Sequence, residues 1–514
     1  MRFITLFIIV IATTNVLQAQ LLQHNRLELD YDWREQDYVL ISNDEFGVSL
    51  VREDIRGING SELIIKQLDI DFNLKWEKTL TVPRGYQFLG YHSIHDKMYL
   101  MLQELPSKLR VKIFRMDNKT GTVDEFEPKD LLEIDILEFE VIKNTAVIGG
   151  VYQGRPVVFA YDLENDKVRT LSNVYQNNSR LVEIRVNQDS VTFNVLASLE
   201  NENRDRTIMV NTYDYLGNAI RDYTLETRKN YHLINSVSSS INDVSQVIVG
   251  LYAYKIPTSP AGIYVNYVDR KGQQTMSYYS FGELENFFTY MGEKKEKRYK
   301  ERTEKAKNRG REMRFRVQPL LNEMIEDKDN LVIFGEFVIG FNKNINSNNL
   351  RGSNYPSTIR NNYDYDGLDI YPNKYQISRR TEFEFSHAYA LVLNKQGEIQ
   401  WDAWMEMDKE GRGTPIETGG FHWLGDKGAY LMYGEKEIYA KVMSKGEDTE
   451  RVTENLMLTS KEDDVRFESD ISTGTVKWYD DYFIVYGVQH IRPNNGAGEL
   501  RKVFFLNKVS IKHD

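Results

Sequence analysis

One pattern dominates this chain and limits what it can fold into. An alternating apolar run, a short turn rich in Asp, Asn and Gly, and a second alternating run recur at Leu63–Leu80, Val111–Phe126, Val157–Leu171, Ile208–Leu225, Ile263–Phe281, Ala388–Met405, Ile438–Val452 and Val503–Ile511. A period of two lays one strand face on a core, so each instance predicts a β-hairpin. The turn chemistry agrees. In Asp214-x-x-Gly217, Asp269-x-x-Gly272 and Asn394-x-x-Gly397 the side-chain oxygen is placed to accept from a turn amide, and the glycine supplies the positive φ of a bulged turn. Two copies match further: Leu68-Asp69-x-x-Phe72-x-Leu74-x-Trp76 and Leu393-Asn394-x-x-Gly397-x-Ile399-x-Trp401.

The hairpins follow one another at about fifty residues, and further apolar runs such as Met98–Leu102, Ala146–Val151 and Leu331–Ile339 lie between them. Two such strands plus a hairpin make a four-stranded antiparallel unit, and radial repetition of that unit is a propeller. The expected fold is therefore all-β, a seven- or eight-bladed propeller over residues 20–514. Leu27–Tyr31 supplies a strand that closes the ring with the last blade. The apolar-Asp-turn-Gly-x-apolar-x-Trp pattern resembles the blades of exported propellers, loosely those of the quinoprotein-like and WD40-like superfamily. That resemblance implies architecture alone, because only Trp76 and Trp401 hold the tryptophan position and no quinone-binding set can be carried over.

Residues 1–19 have the layout of a secretory signal: Arg2, an apolar stretch from Phe3 to Ala12, and a cut expected after Ala19 or Gln20. The apolar stretch is short of the roughly 20 residues that span a bilayer. An exported chain with no cysteine fits a bacterial envelope, periplasmic, surface-bound or secreted. Without cysteine, thiolate catalysis and Cys-ligated metal centres are excluded, and a net charge of -11 argues against nucleic acid as a partner.

The interval between the markers Asp269 and Asn394 is far longer than the others, and an insertion is expected between residues 283 and 383. Its first part, 292–316, carries twelve Lys/Arg against five Glu and reads as a basic helix with a sparse stripe of Tyr299, Ala306 and Met313, broken by Gly310 and Pro319. The plain reading is a solvated helix lying on the rim. The sharper reading makes Arg298, Arg302, Lys305 and Arg309 contacts to an acidic partner, a glycan or, peripherally, an anionic membrane. The second part, 342–375, is an Asn/Tyr-rich loop, in which Tyr363, Tyr365 and Tyr371 are candidate contacts to a sugar or protein. Asp364, Asp366 and Asp369 flank Gly367 and are the candidate calcium ligands. Tyr375 stands where an EF-hand loop places its bidentate Glu, so a polar turn is the plainer reading.

No nucleophile elbow, zinc helix, P-loop or dinucleotide fingerprint occurs in the context its chemistry needs. His92-x-x-His95 is a close pair without an acidic third ligand and reads as surface histidines. No cofactor is implied. The functional expectation is a non-enzymatic exported scaffold that binds an envelope protein or glycan. The alternative is a carbohydrate-active glycosidase or lyase with carboxylates facing the central channel.

Overall fold

The Asp/Asn-x-x-Gly turns at Asp214, Asp269 and Asn394 are built as their chemistry requires. The Asp214 carboxylate accepts from the amides of Leu216 (2.9 Å) and Asn218 (2.8 Å), and Asp269 does the same for Lys271 and Gln273, both at 2.8 Å. Gly217 sits at φ +79°, and a Cβ there would press on Leu171 and Ala160 of the preceding blade, so the position needs glycine twice over. In the first copy Phe72 occupies the glycine position at φ 67°. Its ring is buried and stacks on Trp478 at 5.7 Å, and this contact offsets the left-handed backbone.

The computed structural model describes residues 20–512 apart from 32–37, 55–59, 202–204, 242–244, 258, 316, 322–323, 341–381, 413–417, 435, 447–448, 461–462, 469–472 and 494–498. The strands form eight antiparallel sheets, each a meander of four principal strands. Blades 1 to 5 span 39–83, 86–126, 135–170, 179–224 and 231–280. Blade 6 is assembled from Val317–Leu321, Asn330–Gly340, Glu382–Asn394 and Ile399–Arg412, with the short Ile325–Glu326 beside its second strand. Blade 7 spans 419–455. Blade 8 takes its inner and middle strands from 463–512 and its outermost strand, Gln20–Asp30, from the other end of the chain. The count is eight, and the expected closure by the N-terminal strand is found, extending from Gln20 through the register pair Asp30↔Val503.

The buried residues divide into eight clusters, one at each blade-to-blade junction. Val39, Ile65 and Leu80 of blade 1 pack on Met98, Leu100 and Phe114 of blade 2. The series continues around the ring to Phe504 and Trp478 of blade 8 on Leu40 and Leu50 of blade 1. A twisted sheet apolar on both faces cannot stand alone, and stacking neighbours in a circle covers every face. The two marker tryptophans serve these junctions. Trp76 of blade 1 donates to the Asn118 carbonyl of blade 2 at 3.1 Å, and Trp401 of blade 6 stacks on Trp423 of blade 7 at 5.8 Å.

Two expectations require correction. Val503–Ile511 is no hairpin but part of one continuous strand, Arg501–Lys512, sandwiched between Tyr482–Pro493 and Gln20–Asp30. Asn507, the turn residue which a hairpin over Val503–Ile511 would require, lies in mid-strand, fully buried, accepting from Arg26 (2.8 Å) and donating to the Met457 carbonyl (2.9 Å). The helix is Glu293–Lys307, shorter than 292–316; Gly310 at φ +64° turns the chain back toward blade 5, where the Phe315 amide meets the Pro260 carbonyl at 2.9 Å. Pro319 does not end the helix. It lies within the innermost strand of blade 6, an edge where one missing N–H is tolerated.

Candidate binding face and axial carboxylates

In a four-stranded meander, the connection between strands two and three and the link to the next blade leave by the same end. The helix-bearing link between blades 5 and 6 and the two strand ends at Gly340 and Glu382 therefore share one face of the ring. Asp364, Asp366, Asp369, Tyr363, Tyr365 and Tyr371 lie outside the described residues.

The link is locked down from both sides. The Ser280 amide donates to the Glu283 carboxylate at 3.0 Å, and Phe281, Phe287 and Phe288 enter the core between blades 5 and 6 fully buried. Asn286 reaches the buried Asp402 of blade 6 three times: its amide to Oδ2 at 2.9 Å, and its side chain to the Asp402 carbonyl at 2.9 Å and to Oδ1 at 3.0 Å. The Tyr389 hydroxyl donates to the same carboxylate. On the other side, the hydroxyls of Tyr231 and Tyr252 donate to Glu312 at 3.0 and 3.3 Å. His387 of blade 6 is fully buried between the rings of Tyr290 (4.3 Å) and Phe337 (4.8 Å), and burial drives its imidazole down to about 3.

The helix α1, Glu293–Lys307, lies on this base through Tyr299 and Ala306 of the expected stripe together with Thr303, whereas Met313 packs on the same core from beyond the helix end. Tyr299 packs on Phe288, Thr303 is buried against Gly282, and Ala306 is half-buried. A side chain at position 282 would meet Thr303 within 2.4 Å, so the contact needs glycine. Lys300 donates to the Glu285 carbonyl at 2.7 Å and pairs with Glu296, while Lys307 pairs with Glu283. Arg298, Arg302, Lys305 and Arg309 are exposed. The plain reading of a solvated helix resting on the rim thus describes its seat, and the cationic residues singled out from sequence lie on its open side. Replacing Asp402 by Ala is expected to loosen the link. Trypsin should then cut between residues 294 and 309 at least tenfold faster while the main thermal transition falls by only a few degrees, readable on a time-course gel and by near-ultraviolet circular dichroism.

A second set of charges, missed in the sequence, lies around the axis. On the inner strands of blades 3 and 4 a bulge falls at the same place, between Ile136 and Glu138 and between Leu181 and Glu183. Each re-aims a glutamate, and both are about 1% exposed. Glu183 accepts from the Ser238 amide (3.1 Å) and hydroxyl (2.8 Å) of blade 5. Burial pushes its carboxyl up to about 8 even though Arg185 opposes the shift. Arg185 reaches the Ser238 carbonyl and pairs with Glu326 of blade 6 at 2.9 Å. Blade 4 meets blade 6 only near the axis, so this pair marks the centre of the ring. Glu326 also accepts from the amide (2.6 Å) and hydroxyl (2.8 Å) of Ser240. His92, expected at the surface, is buried and pairs through Nδ1 with Glu140 of blade 3 at 2.8 Å, whereas His95 stands in an exposed turn at φ 51°. The two histidines do not converge. Among the described residues no group of three or more His, Asp or Glu could hold a metal ion. The clue in the sequence was charge within apolar inner strands, as in Ile136-Leu137-Glu138-Phe139-Glu140.

No protein-family model matches the chain, and no curated protein matches it. Many solved structures do. Similar chains include a europium-containing methanol dehydrogenase, 9% identical with a TM-score of 0.43, covering 95% of this chain and 93% of that one. The polysaccharide lyase Uly1 is 8% identical with a TM-score of 0.39, covering 95% and 99%. The propeller domain of the Trilobed protease from Pyrococcus furiosus is 9% identical with a TM-score of 0.37, covering 82% and 98%. The likeness is one of fold, and the described strands form an eight-bladed propeller.

Proposed function

We propose that this propeller is a non-enzymatic binding platform of a bacterial envelope, presenting the face that carries α1 to a protein or glycan. The observation that supports this most is the state of the axial carboxylates. A glycosidase or lyase needs acid and base groups open to a polymer. Glu138 and Glu183 are about 1% exposed, and Glu183 is held by a backbone amide and a hydroxyl of the next blade. Glu140 is engaged by His92, and Glu326 by Arg185. Glu183, Glu140 and Glu326 thus tie blade to blade. Among the described residues the cations Arg298, Arg302 and Lys305 on the open side of α1, by contrast, have no ion pair.

Glu183→Gln separates the two readings. Because burial holds the Glu183 carboxyl near 8, it is neutral at pH 6, and an amide of the same shape should change the unfolding midpoint in urea by less than about 1 kcal/mol there. Binding of envelope extract should be unaltered. Depolymerisation of any envelope or plant polysaccharide by the parent protein, abolished in Glu183→Gln, would refute the platform reading.

A further inference from the structure

The charges of α1 are sorted by face rather than mixed. With Tyr299, Thr303 and Ala306 fixing the inward side, each residue turns the helix by about 100°. Lys294, Lys295, Arg298, Arg302 and Lys305 then project within a single arc of about 100°, and none of the helix's glutamates falls inside it. Glu293, Glu296 and Glu304 lie on the remaining surface and Glu301 stands at the edge of the arc. The ion pairs of the helix, Lys300 with Glu296 and Lys307 with Glu283, also belong to the remaining surface. Among the described residues none of the five cations in the arc has an ion pair. Arg302 lies over its own Tyr299 ring at 5.9 Å. Arg309, in the turn that follows, carries the row one step further. A helix whose charges serve only solvation gains most from interspersed signs, which add i,i+4 pairs. Apart from the spacing Glu301 to Lys305, segregation forgoes those pairs and sets up like-charge repulsion along one line.

From this arrangement we infer that the cationic face of α1 binds an acidic polysaccharide; the inference rests on the platform reading and names its ligand. The five cations follow the helix axis for about 16 Å, a narrow row suited to a chain polymer with charges repeated along its length. Arginine's planar fork suits carboxylate or sulfate oxygens, and two of the five are Arg. A protein interface would need an apolar centre, and the open face of α1 has only charged side chains. A membrane-bound helix would need an apolar face turned outward, whereas here Tyr299 and Ala306 face the propeller. The rest of the chain is acidic, with a total net charge of -11, so a polyanion is steered to this row and away from other surfaces.

The test uses the whole protein from residue 20 onward, with polygalacturonate oligomers as the probe, neutral dextran and vesicles of phosphatidylglycerol as comparisons, and calorimetry at 20 and 200 mM NaCl. Polygalacturonate should bind at 20 mM salt, weaken at least tenfold at 200 mM, and bind on the order of 100-fold more weakly to the triple variant Arg298→Ser, Arg302→Ser, Lys305→Ser. The exposed positions make an unchanged thermal transition the expected control. Equal affinity for dextran, undiminished binding by the triple variant, or stronger binding to the vesicles than to the oligomers overturns the inference. Cleavage of the oligomers, lost in Glu183→Gln, overturns the platform reading instead. If polygalacturonate fails while an envelope protein co-purifies equally with parent and triple variant, the platform stands and the acidic-polysaccharide assignment falls.

Discussion

A protein lacking residues 20–30 is expected to lose its cooperative thermal transition or to melt at least 15 °C lower, followed by near-ultraviolet circular dichroism. The strand contributes Leu21 to the core between blades 7 and 8, and it carries Arg26, whose side chain is 2% exposed. Arg26 donates to Glu28 (2.7 Å), Asn507 (2.8 Å) and Gln489 (2.8 Å) and lies over the Phe505 ring at 4.6 Å. Its loss leaves the buried Asn507 and Gln489 short of partners, which costs about 1–3 kcal/mol for each unsatisfied group. The removed contacts are also those that close the ring. His24 bonds Ser510 across a separation of 486 positions, and the entropy of closing so long a loop is about 5 kcal/mol, given up once and recovered only through this seam. Arg26→Ala should reproduce part of the loss, about 3–5 kcal/mol by urea midpoint. A synthetic 20–30 peptide added in trans should restore part of the transition to the truncated protein. Full stability of the truncated protein would show that the seam is dispensable.

The second large effect is on pH. Burial holds His387 at about 3, and His422 at about 4 with help from Lys477, against an ordinary 6.5. Below pH 6.5 the unfolded chain takes up protons that the folded chain refuses, so stability falls as pH drops; His387 alone contributes on the order of 5 kcal/mol between pH 6.5 and 3. Glu183 works in the opposite direction. Its carboxyl stays protonated in the folded state up to about 8, whereas the unfolded chain ionises above about 4.5, so stability declines as pH rises through that window. Between pH 4.5 and 6.5 two histidines outweigh one glutamate, and above 6.5 the glutamate acts alone. Urea midpoints measured from pH 4 to 9 should therefore peak near pH 6.5. His387→Phe, which keeps a ring between Tyr290 and Phe337, should flatten the acidic limb, and Glu183→Gln the alkaline one. A parent profile that rises steadily to pH 9 would contradict the buried state of Glu183.

What could be read in the sequence follows from what is local. The Asp214, Asp269 and Asn394 turns were legible because the donor, the acceptor and the glycine lie within five residues of one another. Period-two alternation likewise gave the strands, since it is set by the pleat. Arg501–Lys512 was misread because Asn507 resembles a turn residue until Arg26 supplies a partner 481 positions away. Pro319 resembled a helix breaker because the edge that tolerates it exists only once blade 6 has formed. Glu138 and Glu183 showed only as charge within apolar inner strands, since their burial depends on bulges and, for Glu183, on Ser238 of the neighbouring blade. For α1, the cationic residues were visible at once, but which side of the helix faces outward was fixed by Thr303 meeting Gly282.

The seam between the first and last strands also sets a timetable for biosynthesis. Among the described strands Gln20–Asp30 is made before all others, and its hydrogen-bonding edge has no partner until Arg501–Lys512 has been made. Seven blades can stack during that wait, but an unpaired edge strand is a template for other nascent chains throughout it. Truncated translation products of any length short of Arg501 should therefore be substrates for chaperones and proteases, and only a full-length chain can retire its own leading strand.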